Sequence, residues 1–183
     1  MERAAELFAE RGIAATSLDE VLMAAGAGKG QFYHYFHGRD ELAAAAVGHR
    51  CGQVVAGLTE ALGGVSSLAG LEHALTGFIG GFEQAGLPGC PIGTLSAEVA
   101  DRNEEARLQA AAGFDAWERL LAGALERMRR RGELRADADP TVLATGLLAS
   151  IEGGLVLSQA RKDAASLRIA VDAGLGQVRA HLN

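Results

Sequence analysis

Residues 25–36 have the sequence AGAGKGQFYHYF, which contains a turn followed by a short helix. Gly26 and Gly28 predict a tight turn, and the residues from about Lys29 to Phe36 predict a helix. Helical spacing then gives this segment two faces. We expect the anchoring face to consist of Phe32, Tyr35 and Phe36, and the outward face to consist of Lys29, Gly30, Tyr33 and His34.

Two more short helices are predicted before this segment. Residues 2–10 fit a helix that directs Leu7 and Phe8 inward and ends at Gly12. Ser17 and Glu20 have the spacing of a capping box, so a second helix should begin near residue 17. Two short helices joined by a glycine-bearing turn form a helix-turn-helix, whose second helix can enter the major groove of DNA.

The charge pattern around the third helix supports contact with an anion. The chain carries a formal net charge of −6, yet no acidic residue occurs between Ala24 and Arg39, where both tyrosines of the chain lie. Gly30 would allow close approach to DNA, and the amide of Gln31 has the geometry that reads adenine. The next helix should open at Arg39, which would contact phosphate together with the first amides of that helix.

The same residues resemble the DNA-binding region of the tetracycline-repressor (TetR) family. The resemblance is carried by Leu7 to Gly12, by Thr16 and Ser17, by residues 25–36 and by Arg39 to Leu42, and it covers about the first 45 residues. One departure is Gly28, where the family commonly has serine or threonine. The resemblance implies DNA contact at Thr16, Ser17, Lys29, Gly30, Gln31, Tyr33, His34, Tyr35 and Arg39.

The rest of the chain also predicts helices, so we expect an all-α protein. Alanine and leucine number 36 and 24, whereas valine, isoleucine and threonine together number 21. A helix from Arg39 should pass residue 60, and others should cover about 71–82, 95–100, 103–131, 140–160 and 167–182, with a loop over 86–93. The expected domains are a helix-turn-helix domain, 1–45, and a helical effector-binding and dimerisation domain, 46–183.

A group of large apolar residues in the second domain has two interpretations that the sequence does not separate. The residues form either a filled core or the wall of a ligand pocket, because both use the same residue types. The candidate ligand-binding residues are Phe78, Phe82, Leu95, Phe114, Trp117, Leu121 and Met128.

The last two helices are candidates for a homodimer interface. They contain glycines among apolar residues, which favours close packing against a second copy, and a two-fold dimer would place two recognition helices on one operator. The TetR resemblance implies the same, because the last two helices form the dimer bundle in that family. The candidate interface residues are Leu147, Ile151, Gly154, Leu155, Leu167, Val171, Gly174 and Val178.

Four other motifs have weaker functional interpretations. Residues 26–30 lack the glycine and hydroxyl spacing of a phosphate-binding loop. His34, His37 and Asp40 would be a poor metal site, so we expect no metal and no cofactor. Cys90 is expected to be an unreactive loop thiol rather than a redox sensor. The arginines of residues 127–131 are expected to be a solvated helix end rather than a second nucleic-acid surface.

The sequence therefore predicts a dimeric transcriptional regulator, most simply a repressor released from a palindromic operator by a small aromatic or drug-like effector. Residues 89–95, Glu98 and residues 132–134 resemble the LmrA/YxaF-like branch of the family. No catalytic constellation is visible, so we expect no enzyme. We also expect a cytoplasmic protein, with no signal peptide and no apolar run of about 18 to 20 residues. The alternative is a helical adaptor that binds protein but not DNA.

Overall fold

The computed structural model describes residues 1–183 and consists of nine helices connected by short turns and loops. The only β-type pairing is an isolated bridge between Leu134 and Leu182. The all-α prediction is therefore confirmed. The helices are α1 (Glu2–Arg11), α2 (Leu18–Ala25), α3 (Lys29–Tyr35), α4 (Arg39–Leu62), α5 (Leu68–Gln84), α6 (Pro91–Val99), α7 (Glu104–Arg130), α8 (Pro140–Arg161) and α9 (Ala165–Arg179).

The chain forms two compact units, and each takes residues from two segments. The first unit combines residues 1–54 with residues 91–114, and the second combines residues 55–90 with residues 115–183. This division differs from the expected domains of 1–45 and 46–183. The difference arises because α6 and the first part of α7 pack with the N-terminal helices, a long-range contact that no local sequence signal reveals.

The first unit has a small core beneath the three N-terminal helices. Phe8 from α1, Val21 from α2 and Phe32 from α3 are all buried, together with Leu42 and Val47 from α4. Phe8 therefore points inward as predicted, whereas Leu7 is only half-buried. Burial of these side chains holds the short helices together, because helices of seven to ten residues are marginal on their own.

The second unit is organised around the contact between α8 and α9. Leu147 and Ile151 of α8 are buried, as are Leu167 and Val178 of α9. The hydroxyl of Ser158 on α8 accepts a hydrogen bond from the backbone N–H of Leu167 at 2.9 Å, so a buried polar group also fixes the start of α9. Leu71, Trp117 and Leu121 add the α5 and α7 side of this core.

Helix starts follow the predicted signals except at α6. Asp139 caps α8 by accepting the N–H groups of Thr141 and Val142, and Pro140 occupies the first helical position as expected. The loop predicted over residues 86–93 is shorter in the structure, because α6 already begins at Pro91. Proline favours the first position of a helix, so the segment that looked like a loop contains the first turn of α6.

Helix α8 is both long and apolar. By length and composition alone it could cross a membrane, although no such apolar run was expected from the sequence. However, 44% of its most apolar stretch is buried inside the protein, and a single helix of this kind is weak evidence for a membrane span. Its remaining apolar residues are exposed along one side.

Candidate nucleic-acid interface

The start of α2 is fixed by the predicted capping box. The Ser17 hydroxyl accepts the N–H of Glu20 at 3.3 Å, and the Ser17 N–H donates to the Glu20 carboxylate at 2.8 Å. The Ser17 hydroxyl also donates to this carboxylate at 2.7 Å, and this bond, together with the bond from the Ser17 N–H, lowers the pKa of Glu20. The prediction is confirmed, and the capping box fixes the first turn of α2.

The turn between α2 and α3 depends on Gly26. This residue ends α2 in the left-handed region, with φ +61°, a conformation that glycine adopts without steric cost. Gly28 then precedes α3 as its N-cap, and no side chain caps this helix. A serine or threonine at this position would have supplied that cap.

The inner face of α3 is held by aromatic contacts. Phe32 is 5% exposed, its ring stacks on Phe36 at a centroid distance of 5.5 Å, and it meets the edge of Tyr33 at 5.0 Å. Tyr35 was predicted by helical spacing to lie on this face, but it is 66% exposed. That prediction was wrong: α3 ends at Tyr35, and Phe36 after it has an extended backbone, so the helical period no longer holds at this point.

The outer face of α3 carries a compact set of polar and aromatic side chains. Tyr33 is 60% exposed, and no atom lies within 4 Å of a Cβ placed on Gly30. Nothing inside the protein therefore requires glycine at position 30, whereas close approach of a DNA backbone would. The exposed residues of α3 are Lys29, Gly30, Gln31, Tyr33, His34 and Tyr35.

A carboxylate that is not among the predicted DNA-binding residues lies beside this surface. The Nζ of Lys29 is 2.9 Å from Oδ1 of Asp19 on α2, and both side chains are largely exposed. The hydrogen bond and charge of Asp19 raise the pKa of Lys29. The residues between Ala24 and Arg39 include no acid. In the folded protein, however, α2 places Asp19 next to Lys29 of α3.

The turn between α1 and α2 involves two of the predicted DNA-binding residues. Thr16 is 0% exposed, and its hydroxyl donates to the carbonyl of Gly12 at 2.8 Å. The Arg39 guanidinium donates from Nε and Nη2 to the carbonyl of Thr16 at 3.2 and 2.9 Å, and from Nη2 to the carbonyl of Ile13. Both side chains therefore hold the turn, whereas Ser17 next to them is exposed.

His34 and His37 do not form a metal site in the structure. His37 Nδ1 is 2.9 Å from a carboxylate oxygen of Glu41, and the His37 N–H donates to the same carboxylate at 2.6 Å. These hydrogen bonds lower the pKa of Glu41. The structure contains no group of three or more histidine, cysteine, aspartate or glutamate side chains that could hold a metal ion.

The candidate ligand-binding residues divide between the two compact units. Leu95 and Phe114 lie in the first unit, and the other five lie in the second. In the second unit the rings of Phe78 and Trp117 meet edge to face at 5.7 Å. Phe82, Leu121 and Met128 are buried, so these residues form a packed core in this conformation. The indole Nε1 of Trp117 is nevertheless buried without a hydrogen-bond partner.

The predicted dimer residues lie inside a single chain. A Cβ on Gly154 would stand 2.9 Å from the Cα of Leu167, and one on Gly174 would stand 2.7 Å from Cδ1 of Leu147. These glycines thus serve the close contact of α8 with α9 within the chain. All eight residues are buried, namely Leu147, Ile151, Gly154, Leu155, Leu167, Val171, Gly174 and Val178.

Two further motifs have structural partners within the second unit. Arg127 donates to the carbonyls of Val65 and Leu62 at 2.7 and 2.8 Å, so it braces the end of α4 rather than forming a surface for nucleic acid. Cys90 is buried, and its thiol is hydrogen-bonded to the carboxyl of Glu152 on α8. Burial raises the pKa of Glu152, and the contact with Cys90 partly offsets this rise.

Comparison with known proteins agrees with the geometry of both parts of the chain. Residues 1–46 match the profile of bacterial regulatory proteins of the tetR family. Residues 67–173 match the tetracyclin repressor-like C-terminal domain.

Individual relatives are similar over most of their length. The chain is 35% identical to the uncharacterized HTH-type transcriptional regulator Rv0196 of Mycobacterium tuberculosis, with 87% of this chain and 82% of the relative covered. It is 30% identical to the regulator YxaF of Bacillus subtilis, with 89% and 84% covered. The crystal structure of reduced NemR from E. coli superimposes with a TM-score of 0.82 at 27% identity, covering 99% and 94%.

Proposed function

Because the chain belongs to the TetR family of bacterial helix-turn-helix transcriptional regulators, we propose that it is a repressor that binds a palindromic operator as a homodimer. A small aromatic effector would release it. The observation that carries this proposal is the outer face of α3, where Lys29, Tyr33 and His34 are exposed around a glycine that no internal contact requires. Such a regulator acts where the DNA is, so we place it in the cytoplasm.

The residues of this surface divide into phosphate contacts and base contacts. Lys29 supplies a cation for phosphate, and Gln31 supplies an amide that pairs bidentately with adenine. Tyr33, His34 and Tyr35 offer aromatic faces and polar tips beside them. Ser17 contacts phosphate at the start of α2, next to the backbone of buried Thr16. Arg39 can add its Nη1, which donates none of the three hydrogen bonds to the turn.

Regulators of this family act as dimers, and the outer sides of α8 and α9 offer a surface for this. Val142 and Val156 on α8 are 66% and 61% exposed, and Ile169 on α9 is 70% exposed. Exposed apolar side chains of this size favour a protein partner. They replace the buried residues that were predicted from the sequence, and small residues continue both exposed stripes: Ala149, Gly153 and Ala160 on α8, and Ala173 and Gly176 on α9 with Ala180 directly after it.

The effector site that we propose lies around Trp117 in the second unit. An unpaired buried donor costs about 1–3 kcal/mol, and an acceptor on the effector would remove that cost. Phe78 is only half-buried beside the indole, so its ring is the part of the cluster that an aromatic molecule reaches first. We include Phe82, Leu121 and Met128 in this site and leave out Leu95 and Phe114, which belong to the first unit.

Release would follow from a population shift. The effector must bind the conformation with low DNA affinity more tightly than the conformation with high affinity. Moving the population from almost wholly bound to almost wholly free requires about 5.5 kcal/mol of differential affinity. An effector that binds both conformations equally would leave operator binding unchanged.

A gel mobility shift with duplex DNA from upstream of the protein's own gene tests this function. We expect retention of that duplex at moderate salt, weaker retention of a scrambled duplex, and release by some members of a panel of aromatic compounds. An adaptor that binds only protein would retain neither duplex. Chemical turnover of a compound that causes release would instead support an enzyme.

A further inference from the structure

The turn between α1 and α2, residues 12–17, is held from outside by side chains of opposite charge. Glu98 near the end of α6 accepts the N–H of Ala14 at Oε1, over a distance of 2.7 Å. Arg39 at the start of α4 donates to the carbonyls of Thr16 and Ile13. The turn therefore lies between a carboxylate that accepts a hydrogen bond from a backbone N–H and a guanidinium that donates hydrogen bonds to backbone carbonyls.

The turn is shaped to receive the Glu98 carboxylate. Gly12 has φ +84°, which favours glycine, and a Cβ at this position would stand 3.1 Å from Oε1 of Glu98. The hydroxyl of buried Thr16 closes the turn from inside by donating to the carbonyl of Gly12. Three side chains thus satisfy backbone groups of a single six-residue turn, which leaves it little freedom to change shape.

The position of this turn controls the position of the recognition helix. Ser17, the N-cap of α2, follows Thr16 directly, and α2 is joined to α3 by only Gly26, Ala27 and Gly28. The ion pair between Asp19 and Lys29 adds a direct contact between the two helices. A movement of the turn therefore moves α2, and α3 must follow.

The other end of α6 is the point where the chain leaves the second unit. Cys90 is the last residue of one segment of that unit, and Pro91 is both the next residue of the chain and the first residue of α6. The Cys90 thiol is hydrogen-bonded to Glu152 of α8 within the second unit. One short helix thus has its start covalently attached to the second unit and its end hydrogen-bonded to the α1–α2 turn.

We propose that Glu98 is a positioning residue for DNA recognition: through Ala14 it fixes the α1–α2 turn, and with it the orientation of α2 and α3. This inference deepens the proposed function, on which it rests, by naming the residue through which α6 acts on the DNA-reading helices. Glu98 contacts no DNA itself. Its effect on operator affinity arises only from the geometry of the turn.

Substitution of Glu98 separates this role from electrostatics. Glu98→Ala removes a negative charge, which by charge alone would strengthen binding to DNA. We expect the opposite, a loss of about tenfold or more in affinity for the upstream duplex, because the free energy of one charged hydrogen bond is lost. The slope of log affinity against log salt should not change, because no cation that contacts phosphate is removed.

Two further variants and a second readout complete the experiment. Glu98→Gln keeps an oxygen acceptor and should retain most of the wild-type affinity for DNA. This variant keeps the test possible if Glu98→Ala folds poorly. Glu105→Ala removes the same charge from an exposed site on α7 and should not weaken binding. Amide hydrogen exchange at Ala14 should accelerate about tenfold or more in Glu98→Ala and remain slow in the control.

The outcomes distinguish this inference from the function on which it rests. If the wild-type protein binds no duplex at any salt concentration, the proposed function is overturned. If the wild type binds and Glu98→Ala binds equally well, only the positioning role of Glu98 is overturned. Unchanged exchange at Ala14 in Glu98→Ala would also overturn it, since the hydrogen bond would then not hold the turn.

Discussion

Lys29 on the recognition helix is paired with Asp19 on the preceding helix, with 2.9 Å between Nζ and Oδ1. The carboxylate raises the pKa of the lysine and keeps it cationic, but it also occupies the group that should contact DNA phosphate. In the proposed interface, the Lys29 ammonium must leave Asp19 when DNA binds, or else contact Asp19 and a phosphate at the same time. We therefore expect this acid to reduce the affinity of the proposed interface for DNA.

Removal of this acid should strengthen DNA binding. Asp19→Asn abolishes the competition for Lys29 and the repulsion between the carboxylate and phosphate. We expect roughly twofold to fivefold tighter binding to cognate and scrambled duplexes alike, a modest change because exposed ion pairs are weak. Fluorescence anisotropy titrations at low salt measure this, and weaker binding by Asp19→Asn would show that the carboxylate helps to place Lys29.

A charge on the exposed side of α8 should separate the subunits. Val156→Asp would place an unpaired carboxylate in the proposed dimer surface, and we expect the dimer dissociation constant to rise at least about 30-fold, equivalent to about 2 kcal/mol. Leu108→Asp provides a matched control, because Leu108 is another exposed apolar residue, on α7 in the first unit. Sedimentation velocity that finds Val156→Asp still dimeric would exclude this surface as the interface.

The contact between α8 and α9 should not tolerate a side chain at position 154. In Gly154→Ala the new Cβ would meet the backbone of Leu167 at 2.9 Å, so we expect a loss of about 1–3 kcal/mol in unfolding free energy. Gly77→Ala on α5 is the matched control, since a Cβ there meets nothing within 4 Å. The control should be neutral or more stable by up to about 1 kcal/mol, because alanine favours helix. Urea denaturation compares the two, and equal stability would contradict the close packing.

The buried carboxyl of Glu152 should make stability depend on pH. Burial raises its pKa in the folded protein, so the folded state favours the protonated form. The resulting stability is present at low pH and declines as the pH rises from the unfolded pKa through the folded pKa. Glu152→Gln keeps an acceptor for the Cys90 thiol and has no charge to bury.

We therefore expect Glu152→Gln to gain stability over the wild type as the pH rises from below to well above the ordinary pKa of a glutamate. Thermal unfolding of both proteins across that range measures the difference. A difference that stays constant or shrinks with rising pH would show that Glu152 is not neutralised by burial.

The local features of the fold were predictable from the sequence, whereas the identity of packing partners was not. The capping box at Ser17 and the start of α8 at Pro140 depend on residues within one turn of each other, and both were found as predicted. The exposure of Tyr35 was missed because periodicity alone does not show where a short helix leaves the core. The residue Leu147 shows a second limit, since an apolar helix face looks the same whether its own chain or another chain covers it.

The candidate site shows the same division. The outer face of α3 could be predicted because its charge and aromatic pattern are contained within eight residues. The contact of Asp19 with Lys29 was not predicted because Asp19 lies outside those eight residues. The contact of Glu98 with Ala14 was not predicted because 84 residues separate the two. Neither contact has a signal in local spacing, since both depend on how separate helices pack.

The central claim, that α3 reads DNA, is tested most directly by the binding of single-residue variants of α3 to cognate and scrambled duplexes over a range of salt concentrations. Lys29→Ala should weaken binding to both duplexes and reduce the salt slope by about 1, whereas Gln31→Ala should lose about 1–3 kcal/mol only on the cognate duplex, through one base pair. Arg131→Ala, which removes an exposed cation beyond the end of α7, should change neither. If Lys29→Ala and Gln31→Ala both bind the two duplexes as the wild type does, α3 is not the recognition helix.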